Sequence, residues 1–297
     1  MKDIILRMND SAEVRDAINL SSEEKRNIAQ RIHAGVKKTR IKITNLDTGE
    51  TNVYENKVVI PGSQMNICKM FGLEEKVKFP SYNKEMDLDN SVDPEEPPAN
   101  DQLVCLFCLA DSGCGTLPKD VYVSKVTDRI KPAPANPTSI EEFTPEMIMP
   151  FRYVDYDHDL NANLRKYYFG RKTFTSLGKI GYYFKTFDTE PQLHLQYADG
   201  TEITENMWNV ESDQEAECYV EMRLRITRLD FRDYFENVLG WDKSRISSLS
   251  LCTAWYNEGD DGYTYFQNIL PYTILNFSYQ LLVSSETAID IQYELYY

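Results

Sequence analysis

Histidine is scarce: His33, His158 and His194 are the only three in 297 residues. No HExxH pair occurs, and no Ser or Cys stands in a GxSxG elbow. A phosphate-cradling glycine loop and a dinucleotide fingerprint are absent too. Those gaps remove the readily recognised routes to hydrolysis, phosphoryl transfer and hydride transfer. The expectation is therefore a non-enzymatic chain with no catalytic residue and no cofactor.

Long apolar runs are missing as well. None approaches the ~18 residues that a membrane span needs. The start, "MKDIILRMNDSAEVRD", has one short apolar triplet followed by charges, without the apolar centre of a signal peptide. A chain made in a reducing cytoplasm is expected, with no membrane partner and with its cysteines as thiols. Bases are in deficit, 32 against 47 acids, for a net charge of −15. A surface of that sign repels a phosphate backbone, so no direct nucleic-acid partner is expected.

Aromatic residues are plentiful, with 20 Tyr and 13 Phe, which favours strands. "TRIKITNL" and "TNVYENKVVI" flank "DTGE", a hairpin whose Gly49 supplies the positive φ of the turn. "DQLVCLFCLA" reads as a strand buried on both faces, with "VYVSKV" as its hairpin partner. "ECYVEMRLRIT" alternates: Cys218, Val220, Met222, Leu224 and Ile226 face one way, and Tyr219, Glu221, Arg223 and Arg225 the other. "SSLSLCTAWYN" and "YTYFQNIL" form a hairpin across "EGDDG". "AIDIQYELYY" alternates again and reads as a strand that pins the end of the chain.

Helices are few. Residues 21–34, "SSEEKRNIAQRIHA", carry a capping box of Ser21 and Glu24 and stop at Gly35. Ile28 and Ile32 give this helix only a thin apolar stripe, so it is expected to pack on something outside itself. "LNANLRKYYFG" and "LDFRDYFENVLG" are read as two further short helices. Mainly β architecture with a few short helices (α+β) is thus expected, as antiparallel sheets in a sandwich-like body with an N-terminal helical arm. Its divisions are an arm over 1–36, a β-rich half over 37–130, a proline-rich connector over 131–150 and a second β-rich half over 151–297. The two halves are expected to form one body. Residues 74–101 hold nine acids against three bases and read as an acidic surface loop rather than a core element.

Three groups of residues invite chemistry. Cys105, Cys108 and Cys114 cluster within ten positions. A structural zinc needs four ligands, and no fourth lies nearby. On a strand, positions 105 and 108 also point to opposite faces. Small buried filler is the expected role. Asp155, Asp157 and Asp159 alternate like the first ligands of a calcium loop, with His158 among them as a candidate base. Leu160 replaces the sixth-position Gly of that motif, however, and Lys166 its twelfth-position Glu. Asp260 and Asp261 occupy what reads as a hairpin tip.

Taken in order, "NLDTGE", "NKVVIPGS", "LVCLFCLADSGCG", "YFGRK", "SLCTAWYN…DGYTYFQNILP" and "DIQYELYY" make the chain similar to a known group. It resembles structural proteins of tailed-bacteriophage virions, found at the neck, tail or baseplate. The likeness is one of texture and segment order, spread over much of residues 40–297. It implies an acidic, tyrosine-rich, β-rich assembly subunit whose arms and loops reach neighbouring subunits. The implied partners are other virion proteins and copies of itself, and the implied location is the virion. The resemblance carries over no catalytic residues. Interface residues are expected in the arm: Lys25, Ile28, Arg31 and Ile32. Two other classes stand beside this one. One is a decoration, adhesion or carbohydrate-binding module using Trp208, Trp241 and Trp255. The other is a metal-dependent hydrolase built on Asp155, Asp157 and Asp159.

Overall fold

The computed structural model describes residues 38–77, 79–89, 98–197, 199–203, 216–227, 229–258, 264–282 and 288–297. The expected arm helix lies outside them. Strands dominate the described residues, as the alternating patterns require, and every pairing between them is antiparallel.

One sheet is built on the cleanest alternations. β1 (Lys38–Asn45) and β2 (Thr51–Tyr54) form the "DTGE" hairpin. The Asn45 side chain accepts from the backbone of Asp47 and Thr48, and Gly49 sits at φ 71°, as the turn demands. β8 (Gln192–Tyr197), β9 (Ala216–Ile226) and β12 (Ile289–Tyr296) complete the order β2-β1-β12-β9-β8. Register aligns Ile43 with Ile291 and Leu224, and Ile41 with Tyr293 and Met222. All six are buried. Burying such side chains stabilises by roughly 1.5–3 kcal/mol each. A one-residue slip would turn the whole set outward, so this burial also fixes the register.

The other sheet runs β3-β11-β10-β4-β7. Its strands are β3 (Lys57–Val58), β4 (Leu103–Ala110), β5 (Arg152–Asp155), β6 (Tyr168–Phe174), β7 (Lys179–Thr186), β10 (Arg245–Glu258) and β11 (Thr264–Leu281). β7 pairs with β6 along one side, and with β4 and then β5 along the other. β11 is long, and its ladder with β10 shifts register three times. One shift falls where Pro271, which has no N–H to give, opposes Cys252. The two sheets share one core, and Thr273 and Tyr293 join them through their hydroxyls at 2.8 Å. Strands from residues 38–130 and 151–297 occur in both sheets, so the two halves interleave.

Four local expectations are corrected. β4 pairs with β10 and β7, not with "VYVSKV", which makes only an isolated bridge, Cys114 to Val121. "LNANLRKYYFG" forms turns that run into β6 instead of a helix. Residues 74–101 are not merely a surface loop: helix α2 (Tyr82–Met86) lies within them, and Tyr82, Met86, Leu88 and Ala99 are buried. The connector over 131–150 does more than cross the surface, because Ala133, Phe143, Ile148 and Met149 anchor it in the core.

A second helix without a counterpart in the sequence reading, besides α2, is α1 (Ile60–Phe71). Pro61 begins it, where a missing N–H costs nothing. Gly72 ends it in the left-handed conformation at φ 62°. Gly62 weakens the helix by propensity but allows it to touch β11: a Cβ there would lie 2.4 Å from the Tyr272 carbonyl oxygen. α3 (Arg232–Tyr234) continues into a single π-helical turn over Phe235–Leu239. Its buried residues are Tyr234, Phe235 and Leu239. No helix among the described residues is long and apolar enough to cross a membrane.

Candidate interaction surfaces

The residues that invited chemistry are held by neighbours of their own. Cys108 is buried and lies 3.9 Å from Cys252, Sγ to Sγ, while Cys105 is only half-buried on the other side of the strand. Cys114 donates to the Leu117 carbonyl at 3.2 Å inside the turn after β4. All six cysteines are free thiols. Burial pushes the Cys105 thiol up to about 12, so at pH 8 roughly one in ten thousand is ionised. A thiol reagent at pH 8 should therefore modify half-buried Cys218 first and Cys105 much later. Cys68, Cys108, Cys114 and Cys252 should react only on unfolding. Peptide mapping of the labelled native chain tests this, and early labelling at Cys105 or Cys108 contradicts it.

Asp155 and Asp159 flank a single 3-10 turn, Tyr156–His158, that contains Asp157, but the flanking two engage different cations. Asp155 pairs with Lys179. Asp159 accepts from Tyr182 Oη at 2.6 Å, from its neighbour's amide at 2.7 Å and from Arg171 Nε at 3.2 Å. No cluster of three or more His, Cys, Asp or Glu placed to hold a metal ion occurs among the described residues. Partial burial of Asp159 opposes its charge, but these donors outweigh it and hold the carboxyl below its usual range. A depressed carboxyl contributes stability above its unfolded pKa of about 3.9, and that contribution fades as pH falls through the lower folded value. Asp159→Asn should therefore lower the urea midpoint at pH 6, with the difference shrinking below about pH 4. Urea titrations at pH 6, 4 and 2.5 check it; an equal difference at all three would overturn the assignment.

The expected interface residues Lys25, Ile28, Arg31 and Ile32 lie outside the described residues, as do Trp208, Asp260 and Asp261. Trp241 packs against Phe235 at 5.6 Å between ring centres, and Trp255 is half-buried on β10. Neither of these two tryptophans is fully exposed.

A buried polar node lies where the two sheets meet. Lys185, on β7, contacts Asp230 at 3.1 Å, with side chains 5% and 0% exposed. The carboxylate also accepts from Tyr168 Oη at 2.8 Å and from the amide and hydroxyl of Thr227 at 2.8 and 3.0 Å. The lysine donates further to the Arg225 carbonyl at the end of β9. Next in the chain, Phe231 adopts φ 64°, strained for an aromatic residue. Its amide bonds to the Phe151 carbonyl, and its ring lies 4.9 Å from that of Phe151. Each charged group in the node has partners, which makes it a fastening between sheets.

Two outward surfaces remain. On the five-stranded sheet, His194, Tyr219 and Tyr296 occupy one cross-strand row and stack, with centres 4.8 and 4.7 Å apart. Beside them run Glu221 and Glu294, joined by Gln292 at 3.0 Å to each. Tyr296 donates to Glu294 at 2.8 Å. Burial, and then that carboxylate, raise the Tyr296 phenol, so it stays a proton donor at neutral pH. The row is a packed ladder whose rings face one another.

The second surface is α1. Its inner side, Pro61, Gly62, Met65 and Cys68, is buried, with Met65 and Cys68 in a small core beside Val77, Ala99 and Leu270. Its outer side is apolar too. Ile60, Ile67 and Phe71 recur at i, i+7 and i+11, one stripe of a helix. Met70 is 69% exposed and Phe71 59%, with Ile67 and Leu73 also open. The stripe extends past Ile60, whose amide bonds to the Val126 carbonyl, toward Val123, which is 87% exposed. Several large apolar side chains along one helix mark an interaction site more than ordinary scatter does.

No family model, curated protein or solved structure matches the chain.

Proposed function

We propose that the chain is a non-enzymatic structural subunit of a tailed-phage particle. It is made in the host cytoplasm and assembles into a ring or collar at the head–tail neck, tail or baseplate. In the assembled particle its N-terminal segment and acidic loop contact copies of itself and other virion proteins. The observation that carries this reading is the exposed apolar stripe of α1 on an otherwise well-filled two-sheet body. Such a stripe is costly to leave in water and marks a surface that another chain covers. The resemblance in texture and segment order to phage structural proteins suggests the class of assembly. Two of the polar groups that first invited chemistry also support it, since Asp155 and Asp159 are engaged in structural pairs.

Mass measurement of purified particles and of the free chain tests the proposal. Presence in the virion, and a multiple of the chain mass after assembly, are expected. Absence from the particle, or a lone monomer with catalytic turnover, sinks it.

A further inference from the structure

We infer that α1 is the seat of a twofold dimer, in which the apolar stripe of one copy is covered by the same stripe of a second copy. The inference rests on the assembly reading and names the partner of the surface that carries it.

The outer half of α1 holds no charge. At about 100° per residue, Ile60, Ser63, Gln64, Ile67, Met70 and Phe71 fall within about 120° of one another around the helix. Ser63 and Gln64 are the polar members, and the Gln64 side chain already donates to the Lys76 carbonyl at 3.1 Å. Lys69, the one charged residue of the helix, lies on the opposite side, within the field of Asp101. The chain as a whole carries a net charge of −15, with charged residues at 27%. Two copies of so acidic a chain repel each other across most of their surface, and a face without charge is where they can meet.

Area agrees with this. The exposed apolar residues of α1, together with Leu73, Val123 and Val126, leave on the order of 600 Å² open. Two such patches placed against each other remove about 1,200 Å² from water, above the ~1,000 Å² that a specific interface needs. The two most exposed apolar side chains outside this patch, Leu193 and Val53, stand at opposite edges of the five-stranded sheet and form no second patch together. Among the described residues, the surface that matches α1 in extent is therefore α1 itself, and a twofold axis brings a patch onto itself. The two helices then run antiparallel. With the axis near Ile67, each Phe71 lies beside Ser63 of the second copy, a large side chain over a small one.

Sedimentation equilibrium of the purified full-length chain tests this. A monomer–dimer equilibrium in the micromolar range is expected. It should tighten with added salt, which screens the repulsion between acidic copies. Met70→Asp/Phe71→Asp should weaken it at least about a hundredfold, because the new charges would be buried without partners. Both side chains are exposed in the single chain, so circular dichroism should show the fold intact. Ile67→Cys gives a second reading that does not depend on that pair. Near the axis its thiol meets its own copy, and mild oxidation with glutathione disulfide should link two chains, while the native chain and Leu193→Cys stay unlinked. A chain that remains monomeric up to roughly 200 µM overturns the inference. So does a dimer that survives both aspartates and gives no link through Ile67→Cys. A monomeric free chain found in purified particles would remove the dimer and leave the assembly reading standing; an α1 dimer absent from particles would keep the dimer and sink the phage reading.

Discussion

Replacing Asp230 with alanine is expected to destabilise the chain by about 3–5 kcal/mol, the range for breaking a buried ion pair from one side. Lys185 would keep a buried charge with the Arg225 carbonyl as its remaining hydrogen-bond acceptor in the node. Tyr168 Oη and the Thr227 amide would also lose their acceptor. Lys185 belongs to one sheet, and Asp230 follows the last residues of β9 in the other. The loss therefore falls on the joint between layers. Adding Lys185→Met should restore part of the stability, because the stranded charge leaves with the lysine. Urea unfolding of the native chain and both variants at pH 7 measures this. A loss below about 1 kcal/mol for Asp230→Ala would mean that water solvates the node and that it fastens nothing.

Gly113→Ala should cost about 3 kcal/mol, through space instead of backbone angle. The added methyl would lie 2.2 Å from the Ser247 carbonyl oxygen, 2.7 Å from Asn276 Oδ1 and 2.8 Å from Ser248 Oγ. The nearest of these is backbone in the middle of the sheet, which cannot swing aside. The Gly113 amide is itself bound to Ser247 Oγ at 2.9 Å, and that hydroxyl to Asp111 at 2.7 Å, so the turn cannot lift off either. Gly49→Ala provides the contrast. Nothing lies within 4 Å of its added methyl, and only the positive φ opposes it. Its net loss should be about 1 kcal/mol, from left-handed strain offset by a stiffer unfolded chain. Equal losses at the two glycines, read from urea midpoints, would remove the steric argument.

The parts of the fold that were legible in the sequence are those whose signal is local. β9 and β12 announce themselves by strict alternation, and the β1–β2 turn by Gly49. α1 was hidden because "IPGS" carries turn residues: Pro61 begins the helix, and Gly62 is there for contact with Tyr272. Tyr82, Met86 and Leu88 were masked by the acids around them. Pairing partners were illegible wherever they lie far apart in the chain. β4 finds β10 instead of the nearby "VYVSKV", Cys108 finds Cys252, and Lys185 finds Asp230. The outward residues Tyr219 and Glu221 were visible on β9, but the stack with His194 and Tyr296 exists only once register is set. The apolar stripe of α1 could have been counted from Ile60, Ile67, Met70 and Phe71, had the helix been recognised.

The central place of β12 bears on how the chain is made. β1 and β9 each wait for the same strand, and Lys38 meets its partner only when Tyr296 has been synthesised. Until β12 is made, β1 and β9 have an open edge towards the missing strand, the geometry that invites pairing with the wrong chain. Contacts so distant in sequence also close slowly. The nascent chain therefore passes that interval with this sheet unformed, and the eight residues of β12 seal both edges at once.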